Sequence, residues 1–299
     1  MSAAPDADGS AASLWPRDWF WLDQLEESWP PAHREERAGL VLRADAPAAG
    51  SRVNAARLLG AQSAAPEIDA PSAVAAINAF YASRGAAALY QSSYPLRVAE
   101  AAAAPPNPDA PAAAAAVFTA QDPLERALAA AGFALFDPCL LMVAAHSAVR
   151  EAALRRRSGD PRLRACAISA PLSALNAIWD AGEVGPERRA VMRRAAAGEI
   201  IAFRAGNGLG GALFLGVARG SGAASGHATG FIHALHSDPA ARRLGGAAQA
   251  VGLAATMAEE AGAARLAALI RIGNIPARGF FAAMGFHCAG AYAYWRRPL

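Results

Sequence analysis

At 299 residues and 54% apolar composition the chain has room for two domains of about 150 residues each, although much of the apolar content is Ala, which buries little area. The formal charge of +3 is too small to mark a nucleic-acid or other polyanion partner, and all 28 basic residues are Arg, which excludes Lys-based Schiff-base and P-loop chemistry. Cys139, Cys166 and Cys288 are scattered and form no C-x-x-C pair, so neither a disulfide framework nor a metal site is expected.

Residues 1–13 are small and polar and predict disorder. They lack the basic and apolar regions of an export signal, and no apolar run reaches the length of about 18 residues that spanning a bilayer needs, so a cytoplasmic protein without a membrane partner is expected. An aromatic-rich helix then starts around Trp15, Trp19 and Trp21, followed by strand-like Leu40–Arg43 and Arg52–Leu59. A helix over Pro71–Arg84 ends at Gly85, a strand runs near Ala88–Ser93, and a Pro/Ala-rich stretch over Ala101–Ala116 reads as a loop. Asp122-Pro123 opens a short helix that closes at Gly132, ahead of the apolar run Phe133–Val143. The Arg-rich segment Ala144–Arg164 reads as a linker.

The second half begins with a strand near Leu163–Ser169 and two helices, Leu172–Ala181 and Pro186–Ala197. Strands Ile200–Arg204, Ala212–Ala218 and His227–Ser237 succeed one another through Gly-rich turns, as antiparallel neighbours do. Gly206-Asn-Gly208-Leu-Gly-Gly211 satisfies G-x-G-x-x-G, but a short β-like run follows it where a dinucleotide site needs a helix, so a hairpin turn is expected. A long helix over Ala240–Glu260, a strand over Arg265–Ile272, a helix over Ile275–Met284 and a strand pair within Phe286–Arg297 complete the chain.

The turn Ser237-Asp-Pro-Ala-Ala-Arg242-Arg243-Leu-Gly245-Gly246-Ala247 carries the most information. It leads from a strand into a helix, whose first amides lack intrahelical acceptors and lie at the positive end of the dipole, a ready site for phosphate. Glycines let a ligand approach the main chain, and the two arginines add charge.

This order resembles the GNAT superfamily of acyl-CoA N-acyltransferases. Arg242, Gly245 and Ala247 fill the family's phosphate signature, Gln/Arg-x-x-Gly-x-Gly/Ala. Asn274-Ile-Pro-Ala277 followed by Phe280-Phe281 and Gly285-Phe286 fills its downstream signature. The resemblance implies an α/β fold, with a mixed, splayed sheet flanked by helices in each of two GNAT-like domains. Residues 14–148 would form a degenerate copy, since Gly60–Ala70 contains no phosphate signature, and residues 149–299 the catalytic domain that binds acetyl-CoA.

By the same resemblance, Arg243, Leu244, Gly245, Gly246, Ala247 and Ala248 would cradle the pyrophosphate with help from Arg242. Leu235, His236 and Ser237 would flank the pantetheine and thioester, with Asn274, Ala277 and Phe281 beside them. Acetyl would pass directly to a primary amine on a small molecule or peptide, without metal, in a monomer or homodimer. His233 is the candidate base or the anchor of a water relay, and simple alternation puts it on the opposite strand face from His236. Phe281 stands where the family usually has a proton-donating Tyr, which leaves Tyr292 or Tyr294 as donor or an unassisted thiolate. Glu183 is a candidate for binding the amine. The alternative is a non-catalytic acyl-CoA-binding or interaction protein.

Overall fold

The computed structural model describes residues 20–59, 68–94, 96–103, 118–120, 122–156, 163–168, 173–220 and 228–297. The first half contains α1 (Phe20–Ser28), β1 (His33–Arg37), β2 (Leu40–Ala44), β3 (Arg57–Leu58), α2 (Ala70–Ala82), β4 (Leu89–Tyr94), α3 (Leu96–Ala103), α4 (Pro123–Ala130), β5 (Ala134–Ala144) and α5 (His146–Arg155). The second contains β6 (Ala165–Ile168), α6 (Ser173–Ala181), α7 (Pro186–Arg194), β7 (Gly198–Ala205), β8 (Gly208–Ala218), β9 (Ala228–Ser237), α8 (Gly246–Glu260), β10 (Ala263–Arg271), α9 (Ile275–Ala283) and β11 (His287–Arg296). Among the described residues, no helix is long and apolar enough to cross a membrane.

Local chemistry sets several of these boundaries. Asp69 and Asp122 accept hydrogen bonds from the amides of Ser72 and Glu125, capping α2 and α4, and each helix has Pro in its first turn where the missing N–H costs nothing. Gly206 adopts φ 62° in the tight β7–β8 hairpin, where Ala205 pairs with Gly208, so the G-x-G-x-x-G string is indeed a turn.

β1, β2 and β3 form a small antiparallel sheet, and the other strands form one sheet in the order β4-β11-β5-β10-β9-β8-β7-β6. The expectation of a separate large sheet in each half therefore changes: strands of both halves share one sheet. The first half runs three strands, α2, β4, the helices α3 and α4, and β5, and from β7 the second runs three strands, α8, β10, α9 and β11; the strands on either side of α2 and of α8 are parallel, through the Ala56–Tyr90 bridge in the first and the β9–β10 ladder in the second. The final strands trade places. β5 of the first half pairs with β10, whereas β11 of the second half pairs with β4. β5 and β11 also pair with each other, which joins the two halves by main-chain bonds.

Helices cover both faces. α5 and α8 lie against one face over Ile201, Phe203, Leu213 and Leu215, while α6 and α7 cover Ala202, Ala212 and Phe214 on the other. Ala suits this arrangement because small side chains let helices approach closely. Ala250, Ala254, Ala255 and Ala258 are buried along α8, and a Cβ on Gly252 would stand only 2.6 Å from Ala153 of α5.

Several boundaries differ from the sequence reading. The expected linker contains α5, whose face toward α8 outweighs its Arg content, and residues 157–162 lie outside the described set. The helix expected from Ala240 starts at Gly246, after a 3-10 turn at Pro239–Ala241, because Arg243 and Gly245 have positive φ values of 64° and 90°. The strand pair expected at the end is the single strand β11. Of the expected strand Arg52–Leu59, Arg52 and Val53 belong to the 3-10 turn Ser51–Val53 and only Arg57–Leu58 form a strand. β1, with the sequence HREER, shows no alternation of apolar and polar residues and was invisible to that criterion. Ala101–Ala103 belong to α3, while 104–117 and the N-terminal segment 1–13 lie outside the described residues.

Candidate functional site

β9 and β10 run as parallel partners up to Ile232 and Ala268 and then stop pairing. Beyond that point β10 continues on β5 as far as Arg271, while β9 continues on β8 as far as Ser237, so a cleft opens between them. β9 carries a bulge there: between the pairs Phe214–His233 and Ala212–His236 it has one more residue than β8, and Ala234 takes φ 52°. The extra residue reverses the alternation. His233 and His236 consequently face the same side, His233 toward Trp29 and Phe214 and His236 toward Gly182 of the α6–α7 turn. Leu235 turns to the α8 side and Ala234 to the opposite one.

The strand leads into the N-terminus of α8. Arg242, Arg243 and Leu244 are exposed, with Leu244 at 49%, so the bend is open to solvent. The amides of Arg243 through Ala248 have no hydrogen-bond acceptor among the described residues. This donor set fits a diphosphate. Gly245 is required by its left-handed conformation and by contact with the first half, because a Cβ would meet the Arg156 carbonyl oxygen at 2.6 Å. Gly246 has an internal reason as well: a Cβ there would lie 2.3 Å from the Phe203 ring.

On the α6–α7 side, where the cleft begins, lies a cavity of about 250 Å³. Its walls come from both halves. β9 contributes His233 and Ala234, β10 Leu269 and Arg271, β5 Asp137 and Cys139, and β11 Tyr292 and Tyr294. Trp29, the turn Gly50–Arg52, Val184 and Arg188 close it.

His233 is buried, and both ring nitrogens are engaged. Arg52 Nη1 lies 3.0 Å from Nδ1 and Ser28 Oγ 3.1 Å from Nε2, while Ser28 Oγ donates to the Leu25 carbonyl at 2.9 Å. Since a guanidinium can only donate, Nδ1 accepts and Nε2 carries the proton toward Ser28. Burial and the neighbouring Arg52 charge lower the His233 pKa well below the ordinary histidine value, so the ring is neutral. Burial, together with Arg242, also lowers the pKa of half-buried His236.

The phenols behave oppositely. Burial pushes the Tyr294 hydroxyl up to about 12, against the lowering influence of Arg52, and burial also raises Tyr292 well above the ordinary phenol value. Cys139 is likewise raised to about 12 by burial. These three groups are protonated at neutral pH.

Other expected residues lie elsewhere. Glu183 sits at φ 60° in the α6–α7 turn, exposed and outside the cavity wall, where its neighbour Val184 takes the lining position. Phe281 packs in the α8-side core, 5.2 Å from Phe280 and 5.0 Å from Phe286 between ring centroids. Asn274 caps α9 by accepting from the Ala277 amide at 3.2 Å. Sequence reasoning missed Ser28, Trp29, Arg52, Asp137 and Arg188. All but Arg188 belong to the first half, and no short-range motif marks them. Among the described residues, no group of His, Cys, Asp and Glu could hold a metal ion.

Residues 172–286 match the model of the Acetyltransferase (GNAT) family. The chain has the GNAT fold. A GCN5-related N-acetyltransferase from Kribbella flavida is similar over 92% of this chain and 93% of its own, with a TM-score of 0.62 at 16% identity. A tandem GNAT protein from the clavulanic acid biosynthesis pathway is similar over 94% of each chain, with a TM-score of 0.52 at 14% identity. A conserved protein of unknown function from Staphylococcus epidermidis ATCC 12228 covers 91% of this chain and 96% of its own, with a TM-score of 0.56 at 10% identity. No curated protein matches the chain. The GNAT fold implies a capacity to bind CoA.

Proposed function

We propose that the protein is an N-acetyltransferase that moves an acetyl group from acetyl-CoA to a primary amine in the cavity beside His233. The observation that carries this reading is the departure of β9 from β10 just before the Ala234 bulge, on the same strand that leads to the open amides of α8. Arg243–Ala248 would hold the pyrophosphate, with Arg242 adding charge. The unpaired edge of Ala234–Ser237 would lie along the pantetheine and offer an amide to the thioester oxygen. Bound acetyl-CoA supplies an activated acyl group.

Proximity provides most of the acceleration in this reading. Tyr294, protonated and facing the cavity, is the proposed proton donor to the departing thiolate, and the phenolate so formed takes up the proton that the acceptor nitrogen loses on becoming an amide. His233 acts as a positioning residue, because its one lone pair is already occupied by Arg52. Glu183 influences the site through the charge of Arg188. The similar order of strands and helices supports two GNAT-like units, with the boundary moved from 148/149, which falls inside α5, to the end of that helix, and with the second unit providing the phosphate site.

The occupied His233 ring and the buried Phe281 favour a second reading, a non-catalytic acyl-CoA-binding protein. Calorimetry with CoA and thiol release from acetyl-CoA over an amine panel separate the two. Binding with amine-dependent thiol release, reduced by about 100-fold in Tyr294→Phe, is expected for the enzyme with this donor. Binding without release leaves the second reading, and no binding removes both.

A further inference from the structure

We infer that the cavity takes an acceptor bearing a carboxylate, gripped by Arg52 and Arg188. The inference deepens the acyltransferase reading and rests on it for the ligand's role as acceptor. Three guanidinium groups, of Arg52, Arg188 and Arg271, line a space of about 250 Å³ in which Asp137 is the one carboxylate. Asp137 is already committed to Arg271, at 2.9 Å.

Arg52 and Arg188 have no carboxylate within ion-pair distance among the described residues. Arg52 spends Nη1 on the uncharged His233 ring, stacks near Trp29 with its Cζ 5.9 Å from the ring centroid, and leaves Nε sealed from water without a hydrogen-bond partner. Arg188 crosses the same turn, its Nη2 3.4 Å from where a Cβ on Gly50 would stand. Burial first, then the charges of Arg52 and Arg271, lower the Arg188 pKa, and the opposing influence of Glu183 and Asp137 does not cancel them.

A guanidinium such as that of Arg188, held in a partly dry pocket beside other cations without a counterion, is costly, and an incoming anion between Arg188 and Arg52 relieves it while meeting the open Nε of Arg52. The planar guanidinium fork matches a carboxylate, and the small volume suits a molecule of amino-acid size. The same positive field disfavours the ammonium form of the acceptor's amine, so it promotes the neutral nucleophile without a dedicated base.

The test uses the full chain. Thiol release from acetyl-CoA is compared for glycine and glycinamide, for β-alanine and its amide, and for aminomethylphosphonate. Carboxylates should exceed their amides in kcat/KM by at least about tenfold, and Arg188→Gln should abolish that preference while Arg188→Lys restores part of it. Equal or better turnover of the amides overturns the inference, and preference for the phosphonate overturns the carboxylate assignment. A calorimetric titration of propionate into the CoA-saturated protein reads the pocket without turnover. Binding that weakens by at least about tenfold in Arg188→Gln supports the inference even where no amine is acetylated, an outcome that would remove the acyltransferase reading alone. No propionate binding to the wild-type protein, with no carboxylate preference in turnover, overturns it.

Discussion

Nη1 of Arg52 stands 3.0 Å from Nδ1 of His233, although the two residues belong to opposite halves of the chain. Because arginine cannot accept, this contact fixes the imidazole tautomer and directs the other ring proton to Ser28. The ring thus locks a charged side chain into the cavity wall, a role that does not require it to exchange protons with the reactants.

His233→Ala should lower thiol release by about 100-fold, through displaced Arg52 and a loosened wall, while leaving CoA affinity unchanged. Because the folded His233 pKa lies well below the ordinary 6.5, the wild-type pH–rate profile should carry no inflection near neutrality that disappears in the variant. Such an inflection would mean that Nδ1 is free to take a proton.

Acid should destabilise the fold through two groups. Burial raises the Glu26 carboxyl, but Arg43, Arg57 and Arg34 outweigh burial and hold its pKa below the ordinary carboxylate range. Its contribution is therefore present above the unfolded-state value of 4.5 and is lost as pH falls through the lower folded value. Neutral, buried His233 acts in the same direction from higher pH: below 6.5 the unfolded chain takes a proton that the folded one refuses. Urea midpoints measured from pH 7 downward should decline steadily, and Glu26→Ala should cost about 3–5 kcal/mol at pH 7 because it leaves buried Arg43 without a carboxylate and buried Arg57 with the half-buried Asp23 alone. A loss below about 1 kcal/mol would place the network with ordinary surface pairs.

Two substitutions in the bend should separate ligand binding from folding. Leu244→Asp adds a carboxylate at an exposed position and should weaken CoA binding by about tenfold without lowering Tm. Gly245→Ala should instead cost at least about 1–2 kcal/mol, because its φ is 90° and the new Cβ would press on the Arg156 carbonyl. Unchanged CoA affinity in Leu244→Asp would move the anion site away from this turn.

Thiol labelling should read the packing of the two halves. Cys166 is exposed, Cys288 is half-buried with its pKa raised to about 11, and Cys139 is buried with its pKa raised to about 12. Iodoacetamide at pH 8 should modify Cys166 first and Cys139 last, as followed by peptide mass spectrometry. Rapid labelling of Cys139 in the native protein would show that the cavity wall opens readily.

Much of the second half was legible because its signals are local. The Gly/Arg bend before α8 stood out by composition, although the left-handed turn at Gly245 that delays the helix did not, and the alternation and Gly punctuation of β7–β9 announce a meander. The bulge was not legible, since Ala234 has no residue-type signature for φ 52°, and a single extra residue reversed the placement of His236. Arg52, Trp29 and Asp137 escaped for another reason. They reach the cavity through pairings between residues far apart in sequence, and a chain read in windows contains no trace of β5 settling beside β10. The apolar run of β5 did signal an interior strand, but not whose neighbour it becomes.

The crossed placement of β5 and β11 makes the cavity common property. A fragment ending after α5 would keep Arg52 and Asp137 but lose Tyr292 and His233, and the complementary fragment would have a floor without its roof. Each piece would also present a long, unsatisfied ladder of main-chain donors and acceptors, an invitation to aggregate. Because both strands lie on one polypeptide, the wall they build together forms at a rate and a population that do not depend on protein concentration.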